Sequence, residues 1–466
     1  MPDAAVNGPT PAHGSGPSLD RRLGPIDAAA IVVSNVIGGG IFFVPVIVAQ
    51  MVPDAGAILL VWLAGGLLAL AGAMAYAELA SVRPQAGGEY VYLREAFGPL
   101  VAFLTGWTSF VAGFTGAIAA SAVALAEYLG RFAPAAADPT PLLIIPIPGL
   151  PLVVSRRAIL ALTAIAALTL VHLRGLGPGR IVQNLLAGLK VSALLFFVAA
   201  GFAVGSGSVP AIAPGASAFS GGWVLALVPV MFSYSGWNAA AYVAEEVRSP
   251  GRNVPLALGL GTVAVVILYL ALNLLYLYAF APVELGALTG GRLVDRVAER
   301  LFGFVAGDVL ALFSIVSLAA SISAMVIAGP RVYYAMARDG LFFRAAARVH
   351  PRFHTPAFAI VMQGLWSAVL VLSGTLSQLV TYTGFAVILF SGVAVVALFV
   401  LRRRHPEEAR PFSAWGYPVA PAVFIVASTI IMANELWRNP GTSLTGLGII
   451  GLGIPIYLFT TRTRRA

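Results

Sequence analysis

Residues 31–45 read IVVSNVIGGGIFFVP, and this stretch decides what kind of molecule the chain makes. Ser34 and Asn35 are the only side chains in it that are neither apolar nor small. Such a run belongs in a bilayer, yet each glycine destabilises a helix interior by about 1 kcal/mol. Gly38, Gly39 and Gly40 in succession therefore predict a place where the helix opens. Inside a membrane, an opened backbone persists only where protein buries it or where it lines a cavity. Its freed N–H and C=O groups can then hold a transported solute.

The rest of the sequence agrees with a membrane setting. Of its 466 residues, 59% are hydrophobic and 10% charged, and the mean hydropathy is +0.91. A soluble domain carries about 25% charged residues. The formal charge of +9 raises nucleic acid as a partner. The basic residues lie in short loops between apolar spans, however, where the positive-inside rule explains them, and no nucleic acid is expected. With no cysteine in the sequence, a disulfide-linked subunit and thiolate metal sites are excluded. His350 and His354 flank Pro351 with no acidic neighbour and read as surface histidines; no metal or cofactor is expected.

A span needs about 20 apolar residues. Twelve are read, at 27–51, 56–80, 97–130, 157–174, 180–203, 222–247, 255–281, 303–337, 355–374, 377–401, 415–435 and 443–461, which predicts an all-α integral membrane protein. Residues 1–22 read as a disordered tail with no cleavable signal peptide. Segment 133–156 reads as an external loop and 281–302 as carrying a short surface helix. With both termini on one side, 20 of the 27 arginines fall on that side, so the termini are expected in the cytoplasm and the chain in the cell membrane.

Spans 1–5 (domain 23–203) and 6–10 (domain 204–401) have nearly equal lengths, and the last two spans with the C-terminus form residues 402–466. An odd number of spans per half makes the second half inverted. Span 6 should then be broken as span 1 is. It reads VPVMFSYSGWNAAAYVAEEV, with Ser233, Tyr234, Ser235 and Gly236 interrupting it near the middle.

The opened first helix would present the N–H groups of Gly38, Gly39 and Gly40 at a helix N-terminus, which attracts a carboxylate. Carbonyls near Val36 and Ile37, and near Phe232 to Ser235, would attract an ammonium. Together the two breaks suit a zwitterion. Close helix packing by small residues is the competing account. Lys190, the only lysine, sits about ten residues inside span 5, roughly 15 Å deep, too far for easy snorkelling. It reads either as a fixed cation bracing spans 1 and 8 in place of sodium, or as a proton carrier. Glu78 and Glu127 read as interface carboxylates, and Glu245 and Glu246 as partners of Arg248, Arg252 or loop arginines.

These residues resemble the amino acid/polyamine/organocation superfamily, which shares the LeuT fold, over roughly residues 20–460. Gly38-Gly39-Gly40-Ile41-Phe42 is similar to the family's Gly-Ser/Thr-Gly-Ile-Phe motif, with Gly39 in place of the hydroxyl residue. YAELASVRPQAGGEYVYLREAFG (76–98), FSYSGWNAAAYVAEEVRSPGRNVP (232–255) and RVYYAMARDGLFF (331–343) followed by HTP (354–356) resemble three further family segments. The resemblance is closest to the light-chain-like (LAT-type) branch and its bacterial relatives. It implies that Gly38 to Gly40 bind the substrate carboxylate, with Ile41 beside them. It implies that Ile37, Phe232 and Ser235 offer carbonyls to the amine, and that Phe232 gates the pocket with Trp237 and Asn238 beside it. Lys190 matches the branch's span-5 lysine and Tyr276 its span-7 tyrosine partner.

The expected function is sodium-independent transport of neutral L-amino acids by alternating access, with a counter-substrate in exchange. A proton-coupled symporter using Lys190, a cationic amino acid or polyamine permease and a channel are the alternatives. Catalytic clusters that would mark an enzyme are missing from the sequence.

Overall fold

The computed structural model describes residues 19–148, 151–209, 221–288, 293–373, 376–438 and 440–462. The expected tail lies mostly outside them. Two helices come first, α1 (Pro25–Val36) and α2 (Gly40–Met51), and they meet at a 45° bend across Ile37–Gly39. Pro25 opens α1 where a missing N–H costs nothing, and the Asp27 carboxylate accepts the Gly24 N–H at 2.7 Å. Next come α3 (Ala55–Val82), capped by Asp54, the short α4 (Glu89–Phe97), α5 (Pro99–Thr108) and α6 (Phe114–Leu129). Between α5 and α6 the chain widens into a π-helical turn over Ser109–Gly113, so the long third span is locally unwound rather than uniform.

Segment 133–156 departs from the expected loop. Strands β1 (Pro141–Ile145) and β2 (Leu152–Ser155) pair antiparallel into a hairpin, because PLLII and LVVS are rich in apolar and β-branched residues. The chain continues through α7 (Arg156–Leu173), α8 (Leu176–Val204), α9 (Gly221–Tyr234), α10 (Ala239–Tyr242) and α11 (Pro250–Ala279). Helices α12 (Pro282–Gly286) and α13 (Leu293–Phe302) precede α14 (Phe304–Arg338). The α13 helix is not a free surface helix: Leu293, Val294, Val297, Ala298 and Leu301 are all buried. Last are α15 (Ala357–Leu372), α16 (Leu376–Arg404), α17 (Val419–Arg438), α18 (Pro440–Gly451) and α19 (Gly453–Arg462).

Among the described residues nine helical stretches are long and apolar enough to cross a membrane, ten with the bent α1–α2 pair; α9 and α15 are shorter apolar helices. This is a multi-pass, mostly helical membrane protein with almost no sheet. Its largest core joins α1, α3, α9, α11 and α14. Small residues allow the close approach: a Cβ on Gly65 would stand 2.4 Å from Val230, and one on Gly72 2.8 Å from Trp237.

The arginine-rich face is held by ion pairs that sequence could not pair. Glu246 accepts from Arg331 Nε and Nη2 at 2.8 Å each, with both side chains buried. Glu245 pairs with Arg338 at 3.1 Å. Among the described residues, Arg248 and Arg252 form an ion pair with neither. Glu78, expected to be solvated, is buried and receives Arg402 at 2.7 and 2.6 Å. The main chain is tied here as well: Leu23 N–H donates to Glu246 O at 2.9 Å and Arg248 N–H to Leu23 O at 2.8 Å.

Candidate functional site

The two helix breaks lie against each other. Helix α1 ends at Val36 and α2 starts at Gly40; α9 ends at Tyr234 and α10 starts at Ala239. Gly236 lies between the latter two at φ +100°, a conformation that favours glycine. A Cβ there would also meet Asn35 at 3.0 Å. Gly40 packs onto the end of α9, so that a Cβ would stand 2.9 Å from Ser233 Cα and 2.8 Å from its hydroxyl. Gly38 and Gly39 are not crowded in this way; a Cβ on Gly39 meets only Phe43, at 3.7 Å. The three glycines thus do two jobs. Gly40 permits close contact, while Gly38 and Gly39 leave open space.

A cavity of about 430 Å³ occupies this junction, within the roughly 300–1,000 Å³ typical of small-molecule sites. Asn35, Gly38, Gly39, Gly40, Phe232, Ser235 and Asn238 line it. Among the described residues, the N–H groups of Gly39, Gly40 and Ile41 meet no acceptor, whereas Phe42 N–H is bonded to Gly39 O at 2.9 Å. Three free donors at a helix start form a site for an anion. Among the described residues the Asn35 carbonyl, orphaned by the end of α1, accepts no backbone N–H, and Asn35 lines the same cavity. An amino acid's carboxylate and ammonium have complementary partners here.

Lys190 lies outside the cavity lining, fully buried between α1, α8 and α14. Its Nζ donates to Ser34 O at 3.3 Å, to Ser321 Oγ at 2.9 Å and to Ile37 O. Ser321 Oγ itself bridges Ser34 O and Ile37 O at 3.0 and 3.1 Å. The lysine therefore saturates carbonyls freed by the first break. It also occupies the Ile37 carbonyl, which is buried and outside the cavity, as is Ile41. Tyr276 is buried with no hydrogen-bond partner for its hydroxyl among the described residues. The tyrosine that joins the breaks is Tyr269, donating to Val36 O at 2.8 Å and Ser233 O at 3.2 Å.

Phe232 is half-buried at the cavity and faces Phe43, with ring centroids 6.4 Å apart. Trp237 faces away, edge-on to Tyr76 at 4.9 Å and to Phe424 at 5.8 Å. Ser235 N–H closes a turn on Phe232 O at 3.0 Å. Asn238 Nδ2 donates to Tyr242 Oη at 3.0 Å. Ser233, one of the residues that interrupt span 6, carries a buried hydroxyl with no hydrogen-bond partner among the described residues, beside Gly40. Glu89, which no local sequence signal singles out, also lines the cavity.

Replacing Gly39 by serine should be accommodated, since only a flexible phenyl edge lies within 4 Å of the new Cβ. One added hydrogen bond to a charged carboxylate contributes about 1.5 kcal/mol, roughly a tenfold gain. Apparent affinity in competition uptake assays should rise by about 3–10-fold, and unchanged affinity would remove Gly39 from carboxylate recognition.

The sequence matches the model of the amino acid permease family over residues 23–459. It is 28% identical over 427 residues to mouse (Mus musculus) b(0,+)-type amino acid transporter 1, covering 91% of this chain and 84% of that protein. It is also 28% identical over 453 residues to human (Homo sapiens) large neutral amino acids transporter small subunit 2, covering 95% and 81%. These are transporters, not enzymes, and the matches cover more than four fifths of each. A cavity at the meeting of two broken helices, in a chain similar from end to end to such proteins, belongs to a member of the amino acid permease family.

Proposed function

We propose that this permease carries neutral L-amino acids by alternating access, without sodium and in exchange for an internal amino acid. The reading includes twelve spans arranged as a LeuT-type five-plus-five inverted repeat, 23–203 and 204–401, followed by 402–466. Both termini lie in the cytoplasm and the protein resides in the cell membrane. The observation that carries the reading is the placement of Lys190. Its ammonium fills the position between Ser34 O, Ile37 O and Ser321 Oγ, where a mobile cation would otherwise balance the freed carbonyls. A fixed charge cannot travel, so it contributes no ion-driven uphill step, which is compatible with exchange.

The substrate class rests on the lining. Gly38 to Gly40 and Asn35 address the zwitterionic part, while Phe43, Phe232 and Ala239 supply apolar walls. Of the relatives, one is named for large neutral amino acids and the other as a b(0,+)-type amino acid transporter. A noncovalent partner remains compatible with this sequence, and a disulfide-linked one does not, because no cysteine is present.

Proteoliposome uptake of labelled neutral amino acids, with and without internal amino acid and with and without a proton gradient, tests the proposal. Uptake that requires internal substrate and ignores sodium is expected. Uptake into empty vesicles driven by inward protons would replace exchange with symport. Phe232→Ala should slow exchange about tenfold by leaving the cavity open beside Phe43, and unchanged exchange kinetics would remove Phe232 as a gate.

A further inference from the structure

The cavity holds a carboxyl group that the amino acid site does not use. Glu89 starts α4, between the spans, and reaches the cavity while being only 9% exposed. Tyr76 donates to it at 2.6 Å. Tyr242 of α10 stands beside it and receives Asn238 Nδ2 at 3.0 Å. Among the described residues, none of the arginines, Lys190 or the histidines forms an ion pair with it, although buried carboxylates are normally paired. The groups packed around it are Tyr76 of α3, Tyr92 of α4 and Tyr242 of α10, with Ser391 of α16 behind Tyr76. The guanidinium of Arg331 on α14 is taken by Glu246, that of Arg83 by Glu95 and Glu408, and that of Arg94 by Asp339. Burial without a cation pushes the Glu89 carboxyl above the usual carboxylate range, and the hydroxyls of Tyr76 and Tyr242 offset this in part.

We propose that Glu89 is a proton-binding site of the cavity, and that its charge state sets how firmly α10 is held to α4. The proposal rests on reading the cavity as the transport path. An ionised carboxylate can accept from both tyrosines at once; a protonated one has an O–H to place and fewer acceptor positions. One tyrosine must then turn. Tyr76 is wedged between Trp237 at 4.9 Å and Tyr92 at 5.8 Å. Tyr242 stands on a helix of four residues and touches Phe114 at 5.2 Å. Tyr242 is the partner that yields, and α10 is the element released.

The exchange rate should therefore rise as pH falls through the raised Glu89 value, by about tenfold between pH 8 and pH 5. Glu89→Gln, which keeps the shape of the neutral acid, should hold the low-pH rate throughout. Tyr242→Phe should do the same without altering the carboxyl, and serves if Glu89→Gln fails to fold. A wild-type pH profile retained by either variant overturns the coupling to α10. A second readout needs no substrate: pH-difference infrared spectra of the full chain in lipid vesicles. A protonated-carboxyl band should appear on acidification and be lost in Glu89→Gln. A band absent from wild type, or persisting in the variant, overturns the proton site. A titrating band in a protein that moves no labelled amino acid would leave the proton site standing and sink the transport reading.

Discussion

Gly40→Leu should abolish transport while leaving the protein in the membrane. A single Cβ at this position already stands 2.9 Å from Ser233 Cα, a distance that ordinary side-chain contacts do not reach. A leucine must therefore push α2 away from α9 and spread the two breaks apart. That movement removes the free N–H groups of Gly39 to Ile41 from the Asn35 carbonyl, so the two ends of a zwitterion can no longer be held together. Losing two charge-assisted hydrogen bonds at about 1.5–3 kcal/mol each corresponds to at least a 100-fold fall in uptake. Membrane insertion depends on apolar length and should be unaffected. Quantitative uptake normalised to membrane abundance decides it, and robust uptake would sink the carboxylate site at this helix start.

Lys190→Ala should produce the second large effect, at least a tenfold loss of exchange together with a lower melting temperature. The ammonium donates to Ser34 O, Ile37 O and Ser321 Oγ. Removing it leaves buried acceptors unmatched, at a cost of about 1–3 kcal/mol each. Ser321 Oγ still bridges both carbonyls, which keeps the loss smaller than three bonds would suggest. The fixed-cation and proton-carrier accounts part here. As a brace, the lysine's loss should depress exchange at every pH by a similar factor. As a carrier, its loss should spare exchange and remove only proton-driven uptake. Exchange kinetics matching wild type at all pH values would leave the lysine without either role.

The breaks were legible because they violate local chemistry. Three glycines and a Ser-Tyr-Ser-Gly run cannot sit comfortably in a membrane helix, and the structure ends α1 at Val36 and α9 at Tyr234. Lys190 was legible for the same reason, being a charge in an apolar run. What sequence hides is direction. Tyr269 and Tyr276 are seven residues apart, two helical turns, so both face the same side of α11 and spacing cannot choose between them. Trp237 neighbours the cavity residues in sequence yet faces Phe424. Glu89 drew no reading from the sequence, because part of its surroundings comes from Tyr242 on α10, far away along the chain. Glu78 and Arg402 likewise meet across 324 positions. The hairpin of β1 and β2 was masked by the prolines and alanines around it, which dominate the segment's composition.

The tie between Leu23 and residues 246–248 has a mechanical consequence. It joins the peptide entering the first broken helix to the peptide leaving the second, through main-chain atoms that no side-chain substitution deletes. Moving one inner half without the other would sever two hydrogen bonds, a cost of about 1–3 kcal/mol when both strands are buried. Val247 and Leu23 are both buried. Uncoupled movement would be disfavoured by that amount, so under the proposed alternating access the two half-helices would swing as a single rocker arm. Such an arm would give the cavity one hinge variable in place of two, and both halves of the pocket would open or shut in step.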